Sequence, residues 1–211
     1  RKILPNLHIM KRTSYIGLLT LATIATATAG EIAYTAPKNE EPSWKRHVMD
    51  VETGLIWNVG NNTPISYRIV PTQISWRMPY YMKKDFANGS KLLVRHQFSL
   101  IGDWVQNGPE DYYIGISGAP SIEWWSADDK WSAYFAIGGG VGLTNSTDVV
   151  GGQGQDFAYN WFAKTGLRYQ ITQELGIYGG AFFQHISNRG ATDPNPGIDA
   201  LGFTVGMSFS F

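Results

Sequence analysis

The sequence contains no cysteine, which excludes a disulfide framework and any thiolate metal site. Neither sign of charge is in excess: 17 basic and 17 acidic side chains leave a formal net charge of zero. Without a basic field there is nothing to draw nucleic acid by long-range attraction, so that partner class is set aside. Charged residues are sparse, at 16%. Beyond position 29, no run of about 18 apolar residues occurs, which excludes a membrane-crossing helix there. No ligand cluster for a metal is visible, and neither a metal nor another cofactor is expected.

Aromatic and small residues are plentiful: eight Trp, eleven Tyr, ten Phe and 24 Gly. Together with so few charges, they suit a membrane β-barrel better than an average soluble domain. Near the N-terminus, Met10-Lys11-Arg12 precedes an apolar and small-residue run from Tyr15 to Ala27, and Ala27-Thr28-Ala29 offers a cleavage site. That order is the pattern of a secretory signal peptide; the competing reading is a short buried helix. Residues 1–29 are therefore assigned to the signal peptide with the residues upstream of it. Residues 30–47, polar and broken by Pro37 and Pro42, are read as a flexible periplasmic lead-in.

From Val48 onward, apolar side chains alternate with polar or small ones in eight segments: 48–58, 65–77, 91–104, 111–125, 131–144, 155–170, 174–187 and 199–211. The alternation has the period of a strand, and the lengths fit tilted membrane strands. Asn61-Asn62-Thr63-Pro64, Asn107-Gly108-Pro109 and Ala127-Asp128-Asp129 supply turn chemistry between them. In the last segment Leu201, Phe203, Val205, Met207, Phe209 and Phe211 share one face, and Gly202, Thr204, Gly206, Ser208 and Ser210 the other. In the sixth, Asp156, Asn160, Lys164 and Arg168 form the polar face, with Phe162 as an exception. These charges are expected to line a polar interior and to pair there with Arg95, Asp103 or Glu123. The second segment changes phase between Ile69 and Ile74, and a bulge near Val70-Pro71 is the expected cause.

The pattern predicts an all-β fold over 48–211, an eight-stranded antiparallel transmembrane up-and-down β-barrel. Such a narrow barrel is filled by its own side chains, which argues against a wide solute pore. An even strand count leaves both termini in the periplasm and the end of segment seven at the cell surface. The terminal Phe211 resembles the assembly signal of bacterial outer-membrane proteins. It implies the outer-membrane assembly machinery as a partner and outer-membrane lipids as the surroundings.

Segment seven ends Phe183-Gln184-His185-Ile186-Ser187-Asn188, and alternation places His185 and Ser187 on its apolar, outward face. Residues two apart on a strand have Cα atoms about 6.5–7 Å apart, so an imidazole can serve as general base to a serine hydroxyl. An acid is needed to orient the imidazole. If Ser187 faces Asp199 across the loop, Asp199 lies diagonal to His185, within about 7–8 Å. Asn188 and Asn195, with loop N–H groups, are candidates for an oxyanion hole. A lone His-x-Ser, by contrast, is common and usually inert. His96 is read as an interface residue, His47 sits just before the first strand, and His8 precedes the signal peptide.

The run His185-Ile186-Ser187-Asn188-Arg189-Gly190, followed by Asn195-Pro196-Gly197-Ile198-Asp199 and Gly202-Phe203, resembles the closing signature of the lipid A 3-O-deacylase family. Gly152-Gln153-Gly154-Gln155-Asp156-Phe157-Ala158-Tyr159-Asn160-Trp161, with Gly166-Leu167-Arg168-Tyr169, is similar to the same family. The resemblance is clearest over 150–211 and elsewhere is one of pattern. It implies a Gram-negative outer-membrane barrel, its active site facing the outer leaflet, that removes the 3-O-linked acyl chain of lipid A in lipopolysaccharide. By that likeness His185 is the base, Ser187 the nucleophile and Asp199 the orienting acid, while Asn188, Asn195 and Gly190 support the site. A characterised family pattern has Glu at the acid position, one methylene longer than Asp199. Arg189 is a candidate for a lipid A phosphate, or simply a solvated loop arginine. The alternatives are a non-catalytic structural or adhesion barrel and a narrow channel.

Overall fold

The computed structural model describes residues 41–60 and 65–211. The signal peptide expected within 1–29 and the lead-in up to residue 40 lie outside them. Nine strands follow in order: β1 (Val48–Asn58), β2 (Arg68–Arg77), β3 (Met82–Asp85), β4 (Lys91–Asn107), β5 (Tyr112–Trp125), β6 (Trp131–Thr144), β7 (Phe157–Gln170), β8 (Leu175–Ser187) and β9 (Ile198–Ser210). Sequence neighbours pair antiparallel from β4 through β9; β1 pairs with both β2 and β9, and β2 with β4. Eight strands thus close on themselves. The ninth, β3, pairs only with the first residues of β4, beyond the end of β2. It occupies the long stretch between Met78 and Ser90 that the alternation left without a strand.

Alternation decides the two faces. On β9, Leu201, Phe203 and Val205 are exposed, Phe203 at 69%, while Gly202, Thr204 and Ser208 are buried. Exposed apolar side chains recur on every barrel wall: Trp76 on β2, Leu100 on β4, Ile116 on β5, Phe135 on β6, Trp161 on β7 and Ile177 on β8. Apolar groups so placed are stable against acyl chains rather than water. Inside, Arg77 bonds Asp50 at 2.6 Å and Glu123 at 2.5 Å, and Arg95 reaches Glu123 at 3.4 Å. Arg168 lies 3.5 Å from Asp50, and Lys164 bonds Glu52 at 2.9 Å. The expected interior charges Lys164 and Arg168 therefore find partners on strands far away in sequence. Asp103 instead accepts a hydrogen bond from Gln184 Nε2 at 2.8 Å.

Three expectations need correction. Asp156 is not an interior residue; it precedes β7 and accepts the N–H groups of Thr147 and Ser146, each at 2.8 Å. Those donors, Thr147 first, hold its carboxyl below the ordinary carboxylate range. The second segment does not change phase at Val70-Pro71, because Ile69, Pro71, Gln73, Ser75 and Arg77 all point inward. Its early apolar residues are inward because the interior is not polar throughout: Ile69 joins Tyr67, Ile56, Ile101, Phe162, Phe182, Ile186 and Ile198 in one apolar cluster. The same cluster explains Phe162, which packs on Phe182 with ring centroids 6.1 Å apart. The irregularity lies on β4, where the register steps from Arg68↔Asn107 to Ile69↔Val105 and leaves Gln106 as the extra residue.

The described end of the lead-in is no loose tether. Ser43–Lys45 forms a single 3-10 turn, and Trp44 is buried beside Leu93 and Trp125. Its carbonyl accepts the Arg95 guanidinium at 2.5 Å, which supplies a buried cation with an acceptor at the termini end of the barrel. His47 there accepts from Trp76 Nε1 at 3.1 Å and stacks against Phe211, and His96 stacks on Tyr81. Turns 126–130 and 171–174 close this end; residues 59–60 and 65–67 and the connections 108–111, 145–156 and 188–197 lie at the other.

Candidate active site

Strand β8 is held in rotation by its inward residues. Gln184 bonds Asp103, and Ile186 belongs to the apolar cluster. With those two facing in, the period of the strand forces His185 and Ser187 out. Across the β7–β8 pair His185 faces Trp161 and Ser187 faces Tyr159. Trp161 is 44% exposed on the outer wall, and its ring lies 6.0 Å from the imidazole, tilted by 31°. Tyr159 carries the Arg189 guanidinium 5.1 Å above its ring.

His185 Nε2 stands 2.9 Å from Ser187 Oγ, and His185 Nδ1 stands 2.7 Å from Asp199 Oδ1. Ser187 is buried, whereas His185 and Asp199 keep about a quarter of their side-chain surface, 27% and 23%. A carboxylate at Nδ1 accepts the proton there, which leaves Nε2 as the acceptor towards the serine hydroxyl. The three groups form a continuous hydrogen-bonded chain from carboxylate to hydroxyl.

The register differs from the one expected. Asp199 pairs with His185 and Ile198 with Ile186, so Asp199 is not opposite Ser187. Ser187 keeps its pairing with Tyr159 on β7, while the β8–β9 ladder ends at Ile186↔Ile198 and after Ser187 the chain leaves β8 for the loop 188–197. Direct opposition brings Cβ atoms to about 4.5–5.5 Å, closer than a diagonal neighbour. That is why the shorter acidic side chain reaches the imidazole.

The loop is built around Asn188, which is fully buried. Its Nδ2 donates to the carbonyls of Gln153 at 2.5 Å and Thr192 at 2.8 Å, and its Oδ1 accepts the Gly190 N–H at 2.7 Å. Its own N–H donates to Asn195 Oδ1 at 3.0 Å. Asn188, Gly190 and Asn195 thus do come together beside Ser187, but the Asn188 and Gly190 donors are committed to acceptors of the loop and to the Gln153 carbonyl. Gly197 has φ +70°, and a Cβ added there would lie 3.5 Å from His185 Cε1. Alternation did not single out Trp161 as a neighbour of the imidazole. Nor did it give Gln153 a role, although Gln153 stands in the Gly152-Gln153-Gly154 run. Among the described residues no group of three or more His, Asp or Glu side chains has the arrangement of a metal site.

Comparison with known proteins adds three findings. A family model described as lipid A 3-O-deacylase (PagL) matches residues 71–208. The crystal structure of the outer membrane enzyme PagL superposes with a TM-score of 0.51 at 19% identity, covering 78% of this chain and 99% of that one. No curated protein matches.

Proposed function

The chain belongs to the lipid A 3-O-deacylase (PagL) family, and from that premise we propose that it is an outer-membrane esterase in which Ser187, His185 and Asp199 remove the 3-O-linked acyl chain of lipid A. The observation that carries the reading is the unbroken chain Asp199–His185–Ser187, with contacts of 2.7 and 2.9 Å, on the outer wall of the barrel. His185 Nε2 takes the Ser187 proton as Oγ attacks the ester carbonyl. The tetrahedral intermediate collapses by breaking the bond to the sugar 3-oxygen, which receives that proton from His185. Water, deprotonated by His185, then attacks the acyl-serine, and the fatty acid leaves as Ser187 regains its proton. Asp199 stabilises the imidazolium at both steps.

Of the three supporting residues, Asn195 is best suited to the oxyanion. Its carbonyl oxygen is turned to the Asn188 N–H, which leaves its amide nitrogen as the donor not engaged by Asn188 or Gly190. A donor aimed at the developing oxyanion is worth about 10²–10³ in kcat. The site lies at the end opposite the termini, and that end faces the outer leaflet when both termini are periplasmic. There the nucleophile sits among acyl chains already, and the substrate need not be extracted from its membrane. Arg189, exposed beside Tyr159, has the charge to meet a lipid A phosphate.

The test is Ser187→Ala, with lipid A analysed by mass spectrometry from cells making either form. Loss of one 3-O-acyl chain is expected with the parent protein, and a drop of roughly 10⁴-fold or more with the variant. Equal deacylation by the two would reject the assignment.

A further inference from the structure

A buried carboxylate outside the reacting groups joins three of the connections that cap the site end. Glu110, 2% exposed, lies between β4 and β5. Its Oε2 accepts the Tyr67 hydroxyl at 2.7 Å, just ahead of β2. Its Oε1 accepts the Ser146 hydroxyl at 2.8 Å and the Gln153 N–H at 3.1 Å, both from the connection between β6 and β7. Ser146 Oγ also accepts the Gln153 N–H. No cation forms an ion pair with Glu110 among the described residues, so its charge is carried by these donors.

Gln153, completely buried, passes the contact to the loop that carries the active site. Its Oε1 accepts the Gly197 N–H at 3.2 Å, and its carbonyl accepts Asn188 Nδ2 at 2.5 Å. Gly197 lies against the imidazole and is two residues before Asp199. A two-step path of hydrogen bonds therefore runs from Glu110 to the start of β9.

We infer that Glu110 is a positioning residue for the esterase, acting through Gln153 and Gly197 to set where the Asp199 carboxylate meets His185; this rests on the catalytic reading above. Hydrogen bonds to an ionised acceptor are about twice as strong as neutral ones. Removing the carboxylate leaves the Gln153 N–H and the hydroxyls of Tyr67 and Ser146 without it. The 145–156 connection then loosens, and with it the acceptor that holds Gly197. Displacing a reacting group by about 1 Å costs about 10²-fold in rate.

The experiment compares Glu110→Ala, Glu110→Gln and Gln153→Leu in the full barrel, purified in detergent and assayed on lipid A. Glu110→Ala and Gln153→Leu are each expected to lower kcat by about 10–100-fold, with KM within about twofold. Glu110→Gln, which keeps one acceptor oxygen, recovers most of that loss. In an Asp199→Asn background, Gln153→Leu produces no further loss, because both act on the same contact. A merely structural role predicts additive losses instead. Wild-type kcat in Gln153→Leu, or full additivity with Asp199→Asn, overturns the inference. Should Glu110→Ala fail to fold, Gln153→Leu, which keeps Glu110 and its three donors, decides alone. Activity retained in Ser187→Ala overturns the catalytic reading and this one together. Ser187→Ala inactive with Gln153→Leu at the wild-type rate overturns this one only.

Discussion

Asp199 stands straight across a strand pair from His185, and a carboxylate in that position needs only one methylene to reach the imidazole. Asp199→Asn is expected to lower kcat by about 10⁴-fold, since an amide favours the wrong imidazole tautomer. Asp199→Glu is expected to retain activity within about tenfold, because rotamer change absorbs one methylene at a half-buried site. Steady-state kinetics on lipid A check both. The three residues of the proposed triad were legible in the sequence as residue types that could share one face. The direct opposition was not, because it depends on how many residues the 188–197 loop removes from the ladder.

Within the hairpin β8–β9, backbone conformation does as much as side-chain chemistry. Gly197 adopts φ +70°, and a Cβ built on it would rest in ordinary contact with the imidazole, 3.5 Å from His185 Cε1. Gly197→Ala is expected to destabilise the folded barrel by about 1–2 kcal/mol, since an L-residue strains the left-handed region. It should also reduce kcat, as relief of that strain shifts the chain two residues before Asp199; urea unfolding and kinetics on the same sample read the two effects. Strand β9 offers a second test, at Val205, which is 64% exposed on the lipid wall. Val205→Arg is expected to cost about 2–4 kcal/mol, the range for a cation near the bilayer midplane. Denaturant titration of folding into lipid vesicles measures it. The strands were readable because alternation is local. The apolar stretch of the interior misled the phase of β2, since inward Ile69 and outward Ile74 look alike as residue types.

Across the barrel, stability depends on charges that meet in its interior. Arg77 holds both Asp50 and Glu123, with all three buried. Arg77→Ala is expected to destabilise by about 3–5 kcal/mol, because breaking a buried pair leaves uncompensated charge. Unfolding in urea with lipid vesicles gives the value. The same filled interior, with Arg77, Arg95, Phe162 and Phe182 all buried, opposes the channel reading.

Alternation along the chain already dictated an eight-stranded barrel, its apolar outer wall and the shared face of His185 and Ser187, because a strand turns its side chains in and out with a fixed period of two. Closure decided the rest. Asp50 finds Arg77 and Arg168, Trp44 finds Arg95, and Glu110 reaches Gly197 through Gln153, each across strands or connections far apart in sequence. Such contacts follow from register and loop path, quantities that no local period encodes. They exist only once strands and connections distant along the chain have been brought together in the closed sheet.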